Sequence, residues 1–91
     1  PAAEDELAAS APVELMLLGL TVEDALDAVD DFLDRALRGP RTEVRLVHGH
    51  GTGRLREAVR NHLRRHLAVA DFRPGAPNEG GNGATVVTLR V

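Results

Sequence analysis

Residues 43–53 read EVRLVHGHGTG, and this stretch decides the fold because two periodicities meet in it. Apolar and polar residues alternate from Glu43 to His48, which predicts a β-strand. Glycines at every second position from Gly49 to Gly53 predict a loop. Apolar residues then recur at helical spacing, which predicts a helix from about Arg54 to His66. The stretch is therefore a strand-to-helix junction.

The segment before this junction predicts a strand followed by a helix. The nearly continuous apolar run from Val13 to Leu20 is too short for a buried helix and is typical of a buried strand. Thr21 is a good N-cap residue, and apolar residues recur at helical spacing from Val22 to Leu37. Gly39 and Pro40 are expected to end this helix.

The segment after the junction predicts two more strands. Ala68 to Phe72 is a short candidate strand, Arg73 to Gly83 is rich in proline and glycine, and Ala84 to Val91 is a β-branched strand. The order predicts an α/β fold, a two-layer β-α-β-α-β-β sandwich with a four-stranded mixed sheet and two helices, in which a right-handed crossover joins parallel strands. The small, acidic residues 1–12 are predicted to be a flexible linker or tail, and residues 13–91 the folded domain.

Composition excludes several classes of function. The chain has 91 residues and no cysteine, so it has neither a disulfide framework nor a thiolate zinc site. Aromatic residues make up 2%, so base stacking can hardly carry nucleic-acid binding. No apolar run approaches the roughly 20 residues that a membrane span needs, and no membrane partner is predicted.

Charge is divided unevenly along the chain. Residues 1–34 hold ten acidic and no basic residues, whereas residues 35–91 hold eleven arginines and four acidic residues, so the two parts carry −10 and +7 within a net charge of −3. This asymmetry points to a polyanion partner for the C-terminal part. The alternative is an acidic tail and an acidic helix face that are simply solvated.

The glycine-rich loop is a candidate anion site. Glycines allow close backbone approach, and the amides at a helix start favour phosphate. The loop is not a P-loop, because the chain has no lysine, and it lacks the dinucleotide-binding spacing. The alternative is a tight turn without a ligand. The candidate binding residues here are Gly49, His50, Gly51, Thr52, Gly53 and Arg54.

The four histidines fall into two pairs. His48 and His50 flank Gly49, where an imidazole could act as general acid or base or could simply bind a phosphate. His62 and His66 stand four residues apart, a spacing that can hold a metal. A partly buried structural role is the favoured interpretation of this second pair.

Arginines and a long loop complete the list of candidates. The arginines are candidates because a guanidinium binds phosphate through two parallel hydrogen bonds. The alternative is that they form a solvated basic helix face. The loop at residues 73–83 is long enough to be functional, the alternative being a flap without a role. The further candidate binding residues are Arg56, Arg60, Arg73 and Asn78, and Glu79 is a candidate ligand for a metal or for water.

Three motifs together resemble the Smr (small MutS-related) domain. They are LMLLGL at residues 15–20, HGHGTG at 48–53 and NEGGNGAT at 78–85. The resemblance covers about residues 13–91 and is strongest to the version at the C-terminus of bacterial MutS-like ATPases. The first motif departs from the family pattern, because Met16 stands where an aspartate is usual and Leu18 where a basic residue is usual.

The resemblance implies a nicking endonuclease acting on DNA, with structured RNA as the other substrate, in a parent ATPase linked to recombination suppression or ribosome rescue. His48 would be the catalytic acid/base, with Glu79 beside it, and a divalent Mg²⁺ or Mn²⁺ is the cofactor to consider. The alternative is a binding module that delivers the parent to branched DNA or ribosomes without cutting, which the departure at Met16 favours. We expect a monomeric domain, a homodimeric parent and a bacterial, cytoplasmic location.

Overall fold

The computed structural model describes residues 13–91, and the predicted linker, residues 1–12, lies outside the described residues. The chain forms strands β1 (Val13–Met16), β2 (Glu43–Val47), β3 (Val69–Pro74) and β4 (Ala84–Leu89), with helices α1 (Val22–Leu37) and α2 (Arg54–Leu63). Two short 3₁₀ turns, Pro77–Glu79 and Gly81–Gly83, precede β4.

The four strands form one mixed sheet in the order β1-β2-β4-β3. β1 pairs parallel with β2, and α1 makes the crossover between them. β4 lies between β2 and β3 and runs antiparallel to both. The predicted two-layer α/β class is confirmed.

Some element boundaries differ from the prediction. β1 ends at Met16, because the chain turns there, with the Leu20 amide donating to the Leu17 carbonyl at 3.1 Å. Leu18 is consequently 56% exposed rather than part of a buried strand. α2 ends at Leu63 rather than His66, and β3 continues to Pro74.

Helix α1 forms as its sequence predicts. The Thr21 side chain accepts from the Asp24 amide at 3.2 Å and so caps the helix start. Its buried residues Ala25, Val29 and Leu33 form one stripe against the sheet. Neither helix within residues 13–91 is long and apolar enough to span a membrane.

Both helices cover the same face of the sheet. Inward residues such as Leu46 and Val87 join α1 and α2 in one buried core. Because successive strand residues point to opposite faces, the registered neighbours Arg45, Val86 and Arg73 lie on the other face. This separation decides which of the predicted site residues can meet.

Candidate nucleic-acid interface

A surface groove lies at the junction of β2 and α2. It is lined by the whole glycine-rich loop, residues 48–53, with Arg54 to Arg56 on one side and Leu20 to Val22 on the other. Gly53, the N-cap of α2, has a left-handed φ of 86°, which favours glycine. Gly53 has no side chain to cap this helix, and the Arg54 amide donates to Thr52 Oγ1 over a long 3.4 Å. The first turn of α2 can therefore bind an anion.

The start of β4 is fastened to this loop through Gly83. Its carbonyl accepts from the His48 amide at 3.1 Å and from the Gly49 amide at 2.8 Å. The His50 ring lies directly over it, since a Cβ at position 83 would stand 2.8 Å from His50 Nε2. Only glycine leaves room for the ring there.

His48 lies beneath the groove and is only 4% exposed. Its Nδ1 stands 3.1 Å from the Gly49 carbonyl, and its Nε2 stands 2.8 Å from Thr85 Oγ1. Arg60 Nε donates to the same hydroxyl at 2.9 Å. A carbonyl can only accept and a guanidinium can only donate, so the directions are determined. Nδ1 carries the proton, and the Thr85 hydroxyl donates to Nε2.

The electrostatic environment keeps His48 neutral. Burial lowers the pKa of the imidazole most, and the positive charges of Arg60 and Arg56 lower it further against the opposing effect of the Gly49 carbonyl. His48 therefore serves well as a neutral link between the loop and β4, and both of its ring nitrogens are already engaged inside the protein.

The exposed imidazole of the pair is His50. It stands on the loop beside Arg54 and Arg56 in the lining of the groove. Its Nε2 lies against the backbone of Gly83, in the space that a side chain at position 83 would occupy. Of the two imidazoles, it is therefore His50 whose ring is exposed for general acid or base chemistry.

The arginines of α2 divide by role. Arg54 and Arg56 line the groove directly. Arg60 turns inward, and besides Thr85 it donates to Asn82 Oδ1 at 3.2 Å. Burial, with the charges of Arg56 and Arg64, lowers the pKa of Arg60. Arg56, Arg60 and Arg64 stand four residues apart along α2 and line a second shallow groove.

Glu79 is expected beside His48, but it pairs with Arg73, and neither Glu79 nor Arg73 lines the groove. Arg73 pairs in register with Val86, on the face of the sheet that the helices do not cover. Arg73 Nη1 donates to the Glu79 carboxylate at 2.9 Å, and this hydrogen bond is the main reason that the pKa of Glu79 falls to about 2. The Ala76 amide also donates to that carboxylate, at 2.7 Å. Glu79 therefore folds its own loop, and Asn78 lies exposed in the same 3₁₀ turn.

Sequence reasoning missed Asn82 and Thr85. Thr85 stands two residues before Val87 and four before Leu89, which both face the core. Alternation along β4 therefore places the Thr85 hydroxyl inside, where it needs a partner. Asn82 gives no comparable signal, because its contact with Arg60 depends on how the 3₁₀ turn at residues 81–83 meets α2.

The lining of the groove does not fit a carboxylate-bound divalent cation. Residues 20–22 and 48–56 contain no aspartate or glutamate, and two of them are arginines. Mg²⁺ is usually held through one or two carboxylates, and Mn²⁺ likewise prefers oxygen ligands.

Comparison with known proteins identifies the family of this chain. A family model, the Smr domain, matches residues 15–90. The chain belongs to the Smr domain family. The resemblance of the three sequence motifs is thereby confirmed.

Relatives of this Smr domain include much longer proteins. It is 48% identical over 77 residues to Endonuclease MutS2 of Staphylococcus aureus, a match that covers 85% of this chain and 11% of that protein. The chain therefore spans about a tenth of the length of the curated relatives it matches.

Solved structures share the fold of this Smr domain. The Smr domain of Thermus thermophilus MutS2 is 48% identical, with a TM-score of 0.84 over 87% of this chain and 99% of that one. YdaL, a stand-alone small MutS-related protein from Escherichia coli, is 28% identical, with a TM-score of 0.82 over 97% of this chain and 74% of its own.

Proposed function

We propose that this Smr domain is a nicking endonuclease that binds the sugar-phosphate backbone of DNA at the groove between β2 and α2. The observation that carries the proposal is the accessible His50 imidazole beside Arg54, Arg56 and the glycine-capped start of α2. An imidazole, guanidinium groups and backbone amides are together suited to phosphodiester hydrolysis. Structured RNA is the other substrate to test.

The loop and α2 hold the phosphate in this proposal. Amides from Gly51 to Arg54 bind its non-bridging oxygens, and the charge at the start of α2 favours the anion. Arg56 lies over Gly53, where a Cβ would stand 2.6 Å from its Nη2. Its guanidinium is placed to stabilise the negative charge that develops during attack.

His50 moves the proton in this proposal. Its imidazole takes a proton from the attacking hydroxyl or water, or gives one to the leaving oxygen. His48 is a positioning residue instead, because its two ring nitrogens hold the Gly49 carbonyl and Thr85. The catalytic role expected for His48 from the sequence stays a prediction, and the variants below separate the two histidines.

A plasmid-nicking assay of the 91-residue chain tests the proposal. We expect His50→Gln to lower the nicking rate by about 100-fold or more, the usual contribution of a general acid or base, with little change in Tm. His48→Gln is the matched variant and should lower Tm as well as activity. Reactions with EDTA, Mg²⁺ or Mn²⁺, and with labelled RNA, complete the design.

Two results would refute His50 as the proton-transfer group of the nuclease. One is equal nicking by wild type and His50→Gln under every metal condition. The other is loss of nicking in His48→Gln at unchanged Tm, with His50→Gln fully active, which would assign the chemistry to His48.

A binding module without cleavage is the second candidate. Met16 favours it, because a thioether stands where the family usually has an aspartate, and Met16 is 54% exposed at the end of β1. A methionine can neither exchange protons nor ligate a hard cation at that position. This candidate predicts salt-sensitive binding of nucleic acid that remains uncut.

We propose, further, that this chain is the C-terminal domain of a cytoplasmic bacterial MutS-like ATPase. The relatives named Endonuclease MutS2 support this, since the chain matches a short part of their length. The parent would bring the nuclease to recombination intermediates or to collided ribosomes. Purification of the parent with DNA or with ribosomes, with and without residues 13–91, distinguishes these destinations.

A further inference from the structure

A second cluster of polar side chains lies where α1 meets the end of α2. The Nε2 atom of His62 stands 2.6 Å from Asp30 Oδ1, and the Nε2 atom of His66 stands 3.1 Å from the same oxygen. The two rings meet edge to face, with centroids 5.8 Å apart. His62 and Asp30 are on different helices, so the cluster joins them.

The composition of this cluster is that of a transition-metal site. One ligand atom from each of the three residues lies within 4.8 Å of the other two. Two imidazoles and a carboxylate are a ligand set that Zn²⁺ uses, with water in the fourth position. Bonds of about 2.0–2.1 Å place tetrahedral ligand atoms about 3.3 Å apart, so Asp30 must withdraw slightly. Its side chain is 50% exposed and can move.

The cluster is accessible to solvent and separate from the groove. The cluster lines a shallow depression that is open to solvent, together with Arg65 and Leu67. His62 stands eight residues beyond the start of α2, which is about 12 Å along the helix axis from the groove. A metal here would therefore act apart from the proposed nuclease groove.

Metal binding at this cluster requires a change in which ring nitrogen of His66 carries the proton. The Ala68 amide donates to His66 Nδ1 at 3.1 Å, so the proton of the neutral ring is on Nε2 and faces Asp30. A metal on Nε2 takes the place of that proton, and the neutral ring then carries its proton on Nδ1. The hydrogen bond from the Ala68 amide is lost in that exchange.

We propose that Asp30, His62 and His66 form a binding site for a borderline divalent metal of the Zn²⁺ class, which links α1 to the end of α2. Without the metal the two imidazoles are held by hydrogen bonds to Asp30. Binding replaces those bonds with metal–ligand bonds across two helices, so the metal stabilises the domain. Metal binding at this cluster does not depend on nuclease activity.

Titration of ZnCl₂ into the metal-free 91-residue chain tests the site, by calorimetry and by thermal unfolding. We expect one Zn²⁺ per chain and, at ten times Kd, a rise in Tm of about 5 °C or more. The amide resonance of Ala68 should shift on binding, because it loses its acceptor. His62→Gln and Asp30→Asn should each weaken binding at least tenfold.

Matched controls are His50→Gln, in the groove, and Asp27→Asn, an exposed carboxylate one turn earlier on α1. Both should bind Zn²⁺ as the wild type does. The proposal would be overturned if the wild type failed to bind Zn²⁺ at about 100 µM ZnCl₂. Equal binding by His62→Gln would also overturn it, as would loss of binding in His50→Gln alone, which would locate the ion at the groove.

Discussion

Nε2 of His48 accepts a hydrogen bond from the Thr85 hydroxyl over 2.8 Å, which joins the end of β2 to β4 beneath the groove. Arg60 Nε donates to the same hydroxyl, so one buried oxygen connects both strands to α2. The loop on which a phosphate would rest is held from below by this chain of three side chains. The geometry of this loop therefore depends on Thr85, which does not itself line the groove.

Removing the hydroxyl should destabilise the domain. Thr85→Val keeps the shape of the side chain but leaves His48 Nε2 and Arg60 Nε without their partner. We expect a loss of about 1–3 kcal/mol in the free energy of unfolding, measured by urea denaturation. Thr88→Val, at an exposed position of the same strand, is the control and should change stability by less than about 0.5 kcal/mol. Equal effects of the two variants would contradict the hydrogen-bond chain.

The stability of the domain should depend on the protonation of His48. Its pKa is lowered in the folded state, so the unfolded chain takes up the proton first as the pH falls below about 6.5. The stabilisation is complete above that pH and is lost as the pH falls through the lowered folded-state pKa. Urea unfolding at pH 7.5, 6.0 and 5.0 should show a steeper loss for wild type than for His48→Gln. Parallel profiles would show that His48 does not contribute.

A methyl group at position 83 should disturb the groove more than the fold. The Cβ of Gly83→Ala would stand 2.8 Å from His50 Nε2, so the exposed ring must move away. If His50 carries the proton, nicking should fall by about 100-fold while Tm changes little. Gly39→Ala, where the nearest atom would be 3.7 Å away, should nick like wild type. Full activity of Gly83→Ala would show that the His50 position is not needed.

The two faces of the sheet should differ in their contribution to nucleic-acid binding. Arg56→Ala should weaken binding and reduce the slope of log K against log salt by about 1, the effect of one lost phosphate contact. Arg73→Ala should leave the slope unchanged, because Arg73 is on the opposite face and is paired with Glu79. Fluorescence anisotropy over a range of salt concentrations measures both. A lower slope for Arg73→Ala alone would place the nucleic acid on the face of the sheet that the helices do not cover.

Local patterns were sufficient for the fold class and for the junction that carries the groove. The helix after Thr21 is specified by its N-cap and its apolar spacing, and both are properties of neighbouring residues. The glycine-rich loop is likewise visible in the sequence, because each glycine acts on its own backbone. The end of β1 was less predictable, since an apolar run does not show where the chain turns.

Tertiary structure alone decided which candidates share a site. Strand register places Arg73 and His48 on opposite faces, and register depends on pairing between segments far apart in the sequence. Burial likewise separates His48 from His50, although they are two residues apart, because only His48 lies under the groove against β4. The sequence determined that imidazoles, arginines and glycines occur at a strand-to-helix junction. Long-range packing determined which imidazole faces solvent.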